Sequence, residues 1–405
     1  MSAPSLNVPA LPGPTVAFES SSSGGAPAPP DSSPWRRLLV FSVMMIVGAV
    51  AGVFLGDSLT GPWTATDWAL LAVATPVGLM LLIAIHEAGH TVAGSLAGFR
   101  LQHVSVGPLK MQRTPQGWTA SRSQHGVFAG MSHGVPGPDL QAAPTEVVRR
   151  ARAIRLIGGA AANVFSGLLA LGLAALPVGE TVETAALVFG IMSLGVGFVN
   201  LLPLRTGSGF ITDGARLGPL LRGTPEANRD VALATVRAEA YGGTRPREWS
   251  ARWVERMLTP RDYGMTDGST RMLAYRHALD AGRTDDARAY LAEALNLLDR
   301  LPRAQHGGLM VEAAYFEAAH REDPEKARVW LERAGGGKGA SIPGVPSCAS
   351  GRAEAAVLLA EGNHADAHRR IDDAESALSE HPVDGTTVAE QAWLRDLARR
   401  MPHRP

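Results

Sequence analysis

Long apolar runs dominate the first half of the chain, and short amphipathic periods replace them in the second. The runs cover Leu38–Leu55, Trp68–Ala97, Ile154–Val178 and Ala185–Leu204. Each is near or above the roughly 20 residues that cross a bilayer core of about 30 Å. Segments so poor in charge over so many turns predict four membrane spans. Between the second and third runs, Leu101–Met111 and Trp118–Phe128 partly alternate apolar with polar residues around Thr114-Pro115-Gln116-Gly117, which predicts a β-hairpin.

Beyond residue 258 the period becomes helical, and a pattern recurs. Ala287, Leu291 and Ala294 return about 40 residues later as Ala327, Leu331 and Ala334, and again as Ala367, Ile371 and Ala374. Turn signals precede each copy: Ala281-Gly282-Arg283, Arg321-Glu322-Asp323-Pro324 and Glu361-Gly362-Asn363. Small residues on one helical face let a second helix approach closely, as stacked helix-turn-helix repeats require. Residues 1–34, rich in Ser, Pro, Ala and Gly, show no period and are expected to be a disordered tail. The expected fold is therefore mainly α: a multi-pass transmembrane core over 35–222 with a small β-hairpin loop, a linker over 223–258, and a cytoplasmic helical repeat domain over 259–405.

Charge adds an orientation. Lys and Arg gather before the first run (Arg36, Arg37), between the second and third (Arg100, Lys110, Arg113, Arg122, Arg149, Arg150, Arg152) and after the fourth (Arg205, Arg216, Arg222). The two intervening connections carry Asp57, Glu180 and Glu183 and no basic residue. The positive-inside rule then predicts a multi-pass protein of the cell membrane with both termini cytoplasmic. Formal net charge is zero, which removes the electrostatic case for nucleic acid as a partner. One cysteine, Cys348, excludes an intrachain disulfide and a Cys-rich metal site, and it reads as an incidental thiol in a loop.

Any metal must then be held by His, Asp or Glu. His86-Glu87-Ala88-Gly89-His90 lies near the cytoplasmic end of the second run. Residues four apart share a helical face, so His86 and His90 can present two imidazoles to one zinc ion, while Glu87 can serve as the general base. A charged side chain at mid-bilayer costs roughly 2.5–3.5 kcal/mol, so packing explains three such residues poorly. Asp213, after Asn200-Leu201-Leu202-Pro203 and before Gly214, is a candidate third ligand, although Asp-Gly is also a common turn. His103, His125 and His133 share no helical spacing and read as interfacial polar residues.

These motifs together resemble the site-2 protease family of intramembrane zinc proteases. That family pairs a His-Glu-x-x-His helix with a later Asn-x-x-Pro…Asp-Gly segment, matched here by Asn200, Pro203, Asp213 and Gly214, and often carries Gly-x-x-x-Asn, matched by Gly159 and Asn163. The likeness covers roughly residues 66–222. It implies a zinc endopeptidase acting on membrane-protein segments, with His86, His90 and Asp213 as metal ligands and Glu87 as catalytic base. Asn163 would bind the substrate backbone or an oxyanion, or else bond between helices. The Asn-to-Asp interval is longer than the family's usual one, and nothing resembles the PDZ or CBS domains of some members.

A substrate segment must unwind before it is cut, because a helix hides its own peptide bonds. The hairpin of the 99–135 loop is expected to offer it a strand edge, with proline substitutions over Val104–Gly107 as the test. The recurrent helices resemble tetratricopeptide repeats with a longer period, which implies docking of a regulatory protein or a substrate's cytoplasmic part. The competing expectation is a catalytically silent, membrane-anchored adaptor.

Overall fold

The computed structural model describes residues 65–114, 117–123, 129–205, 211–335, 342–381 and 383–401. The predicted tail 1–34 and the first apolar run, Leu38–Leu55, lie outside the described residues. The chain divides into two compact units between Val231 and Ala232.

The first unit is built on three long apolar helices: α1 (Ala65–Leu96), α3 (Thr145–Ala174) and α4 (Glu180–Leu201). Pro76–Leu96 of α1, and all of α3 and α4, are long and apolar enough to cross a membrane. Val77, Leu81, Phe165, Leu168, Leu169, Leu173 and Phe198 point outward from the packed helices, as lipid-facing side chains do. The helix bounds differ from the predicted runs. α3 begins nine residues before Ile154 and so includes Arg149, Arg150 and Arg152, which were expected in a loop. At 30 residues it is about 45 Å long, so its Arg-bearing first turns extend past the apolar stretch. α4 ends at Leu201, just before Pro203, which cannot donate an amide to a further turn.

The expected hairpin is a four-stranded antiparallel sheet in the order β3-β2-β1-β4. Its strands are β1 (Phe99–Val106), β2 (Leu109–Thr114), β3 (Gly117–Arg122) and β4 (Gly130–Pro136). The stretch read as one strand from Leu101 to Met111 breaks at Gly107-Pro108. Gly107 has φ +54°, and Val106 pairs with Leu109 across the turn. A glycine at positive φ followed by proline suits a two-residue hairpin turn. β1 is thus an inner strand, so Val104–Gly107 offers no free edge. The short α2 (Pro138–Ala142) leads from β4 to α3.

Past α4 come α5 (Asp213–Arg222) and α6 (Pro225–Tyr241), which crosses the boundary between the units. The stretch 223–258, expected as a linker, holds α6, a 3-10 turn and α7 (Ala251–Met257). Three successive helix pairs follow in the second unit: α8 (Met265–Asp280) with α9 (Thr284–Leu295), α10 (Arg303–Arg321) with α11 (Pro324–Arg333), and α12 (Ser347–Ala360) with α13 (His364–Ser379). α14 (Gly385–Arg399) closes the series. The turn signals sit where the backbone needs them: Gly282 and Gly362 at φ +72° and +78°, and Glu322 at +55°. Asp323 and Asn363 cap the next helices through Lys326 N and Asp366 N. The recurrent Ala287, Leu291, Ala294, Ala327, Leu331, Ala367, Ile371 and Ala374 are buried in one core, with Ala334 packed at its edge. Cys348 is not in a loop. It lies in the first turn of α12, buried in that core, and burial pushes its thiol pKa up.

A candidate metal centre between α1, α3 and α5

α1 and α3 cross so closely that no side chain fits at Gly89 or Gly158. A Cβ on Gly89 would stand 2.3 Å from the Gly158 carbonyl oxygen, and one on Gly158 would stand 2.5 Å from that of Gly89. Small residues allow such backbone contact between helices in lipid. The adjacent Gly159 leaves room for the imidazoles. A Cβ there would lie 2.5 Å from His90 Nε2 and 2.9 Å from His86 Cε1. The Gly-Gly pair therefore sets a helix crossing and a cavity for the two rings.

Asp213 reaches the same place by a short return of the chain. After α4, Arg205 and Ile211 form an antiparallel bridge. Thr212 Oγ1 donates to the Leu202 carbonyl at 2.5 Å and accepts from Leu204 N at 3.0 Å, while Thr212 N donates to Leu204 O at 3.1 Å. This pinned turn starts α5 with Asp213 as its first residue. Gly214 packs against the end of α4, where a Cβ would stand 2.0 Å from Leu201 O. At the far end of α5, Arg149 from α3 donates to the Leu220 and Leu221 carbonyls, the latter at 3.2 Å. A cation there also complements the negative end of the helix dipole. Both ends of α5 are held, so the long Asn-to-Asp interval still delivers its carboxylate.

The three predicted ligands converge. His86 Nε2 and His90 Nε2 are each 3.1 Å from Asp213 Oδ2 and 3.1 Å from one another. Their side chains are 12%, 8% and 12% exposed for His86, His90 and Asp213. Ligand atoms about 2.0–2.1 Å from one tetrahedral ion stand roughly 3.3–3.4 Å apart, so the triangle fits one ion with little adjustment. The donor chemistry agrees. His90 Nδ1 donates to the Arg155 carbonyl at 2.8 Å, which leaves Nε2 of the neutral ring with its lone pair directed at the triangle. Among the described residues this is the one group of three or more His, Cys, Asp or Glu side chains close enough to share an ion.

Glu87 follows His86 on α1 and is 7% exposed. The start of β4 covers it, since a Cβ on Gly130 would fall 2.7 Å from Glu87 Oε1. Asn163 lies one helical turn beyond Gly159 on α3 and is wholly buried. Ser193 Oγ of α4 and Ser166 Oγ donate to its main-chain carbonyl at 2.8 and 3.2 Å. Its side-chain Nδ2 and Oδ1 have no hydrogen-bond partner. The bonding between α3 and α4 thus runs through the backbone of Asn163 and leaves its amide free. His86 Nδ1 is likewise buried without a partner.

His103 and His133 do not join the centre. They face each other across β1 and β4 with stacked rings 5.2 Å apart, and His103 Nε2 lies 3.4 Å from Met131 Sδ. His125 lies outside the described residues. The residues that the sequence reading missed are supports: Gly89, Gly158, Arg155 and Gly130; Gly159 was named only as the start of the Gly-x-x-x-Asn element. The Gly158-Gly159 pair beside a metal-ligand helix was the available signal. Compared with family models, curated proteins and solved structures, the chain matches none.

Proposed function

We propose that the protein is an intramembrane zinc metalloprotease that hydrolyses peptide bonds in or near transmembrane segments of other membrane proteins. The observation that carries this reading is the buried triangle of His86, His90 and Asp213 between apolar helices, with Glu87 beside it. Two imidazoles and one carboxylate suit zinc and leave a fourth position open. When bound, zinc would supply Lewis acidity and bring the pKa of water toward about 7. Glu87 takes the proton from the attacking water and later delivers it to the leaving amine. The free amide of Asn163 is available to hydrogen-bond the substrate backbone or the developing oxyanion. Arg155 adds a nearby positive charge that interacts with both Glu87 and Asp213.

The substrate strand pairs main chain to main chain with the edge of β4. Among the described residues β4 pairs with β1 on one side only, and its first residue covers Glu87. The charge alternation of the loops supports a four-span chain in the cell membrane with cytoplasmic termini. The paired helices α8–α13, with their alanine-lined contacts, serve as a tetratricopeptide-like docking surface for a regulatory protein or a substrate's cytoplasmic part.

The test is Glu87→Gln, which leaves all three ligands in place. Fragments of membrane proteins, compared by mass spectrometry between the wild type and this variant, should include at least one product that falls by about 10²–10⁴. Zinc content should stay unchanged. Wild-type processing by Glu87→Gln would overturn the protease reading and leave an adaptor with a metal site.

A further inference from the structure

Arg155 is a costly residue for its position. It lies in an apolar helix, where a cation is disfavoured unless something inside the protein receives it. Its two ends do separate things. The main-chain carbonyl accepts the His90 Nδ1 proton at 2.8 Å and so fixes the ring that faces the metal triangle. The side chain leaves α3 in the other direction. Its stem runs over α1 at Gly94, where a Cβ would stand 3.0 Å from Arg155 Cδ. Its guanidinium then passes Gly134 of β4, where a Cβ would stand 3.1 Å from Nε. Nη2 donates to the main-chain carbonyl of Ser132, and to Ser132 Oγ at 3.1 Å. Ser132 is two residues from Gly130, which covers Glu87. One residue therefore ties the metal-ligand helix to the middle of β4, which among the described residues pairs with another strand, β1, on one side only.

We infer that Arg155 is a positioning residue that sets the register between the edge of β4 and the metal centre, and thereby selects which substrate bond is hydrolysed. This rests on the protease reading. The physical reason is the period of a strand. A slip of one residue turns every side chain to the other face, so an edge that is free to shift presents different bonds to the same Glu87. The carbonyl on the His90 side belongs to the backbone and survives any side-chain substitution. Metal binding and strand register are thus separable by mutation, which a purely structural role would not allow.

The experiment uses the full-length, zinc-loaded protein in proteoliposomes, with Arg155→Met and Arg155→Lys compared against wild type. Two readouts are taken. The first needs no substrate: zinc content, and hydrogen exchange of amides in 130–136 and in α1 around His86. Arg155→Met should keep its zinc and its α1 protection while exchange in β4 rises. The second uses the membrane protein whose fragment is lost in Glu87→Gln. Its cleavage should spread from one bond to neighbouring bonds, with KM raised about tenfold and kcat changed much less. Lys keeps the charge but reaches less far, so Arg155→Lys should fall between wild type and Met. Full restoration by Lys would show that only the charge near Glu87 and Asp213 matters, and would overturn the register role. So would an unchanged cleavage position and unchanged β4 exchange in Arg155→Met. If that variant does not fold, an Arg155→Lys protein with wild-type KM, bond choice and β4 exchange overturns the proposal equally. Wild-type processing by Glu87→Gln would instead remove the protease reading, while the exchange measurement still tests the clamp.

Discussion

In the helical unit the most deeply buried cation meets counter-charges, whereas in the unit of apolar helices the buried ligand atoms meet one another. Arg352, fully buried, donates from Nε to Glu390 at 2.5 Å and from Nη2 to Glu312 at 2.9 Å, and it lies 3.8 Å above the Tyr315 ring. Glu312 also accepts from Tyr275 at 3.1 Å. The Arg352 guanidinium and burial compete over Glu312, and the cation holds its carboxyl below the usual range, whereas burial pushes Tyr315 up to about 12. The network pairs one cation with two carboxylates, leaving Arg352 Nη1 without a hydrogen bond, and Glu312 also lines a cavity. The triangle of His86, His90 and Asp213 differs. Two nitrogens and an oxygen stand 3.1 Å apart around a common centre, and the amide of Asn163, one turn beyond Gly159 on α3, makes no hydrogen bond.

That contrast can be broken most forcefully at Asp213. Asp213→Ala removes one of three ligands, so metal content should fall at least 100-fold by elemental analysis, while the thermal transition of the helical unit stays in place. Unchanged metal content would remove the centre altogether. Arg352→Met should do the reverse. It takes the guanidinium from buried Glu390 and leaves Glu312 with only Tyr275 and Arg276, at a cost of about 3–5 kcal/mol, read as a lowered unfolding midpoint with zinc content intact. Replacing all three residues by apolar ones of similar volume should recover most of that loss.

Asn163→Ala sharpens the comparison further. Because the amide makes no internal hydrogen bond, stability should change little, yet cleavage should drop about 10²–10³-fold if the amide serves the transition state. A loss of stability with full activity would assign it to packing. The smallest effect is a pH dependence in the helical unit. Burial, then the Arg400 and Arg352 charges, holds His320 down at about 4, against 6.5 for the free side chain. The unfolded chain binds this proton first as pH falls. His320 therefore leaves folding unaffected above about 6.5 and weakens it progressively from there down to about 4, by up to roughly 3 kcal/mol. A His320→Phe variant followed by thermal unfolding between pH 7 and 4.5 should show a flatter profile.

Much of this organisation was legible along the chain. His86 and His90 stand one turn apart wherever a helix forms, so the sequence alone aligned two ligands. Pro203 marked the end of α4 for a local reason, its missing amide. Gly282, Glu322 and Gly362 fell at predicted turns because left-handed backbone is a local property. The sheet was less legible. Gly107-Pro108 carried the turn signal, but the pairing of β1 with β4 joins residues some 30 apart, and no local period encodes it.

The sequence by itself determined which residues have the chemistry to hold a metal, and where apolar helices run, because both depend on side-chain type and helical period. It left open whether Asp213 was a ligand or a turn residue. The tertiary structure places it beside both histidines, where it could share an ion with them. The Thr212 return and the Arg149 cap bring a carboxylate 127 residues distant to within 3.1 Å of His86. It also decided that Arg155, at the start of the third apolar run, joins His90 to β4. Such roles come from which backbones approach closely, and here glycines at 89, 158 and 159 set that approach by what they lack.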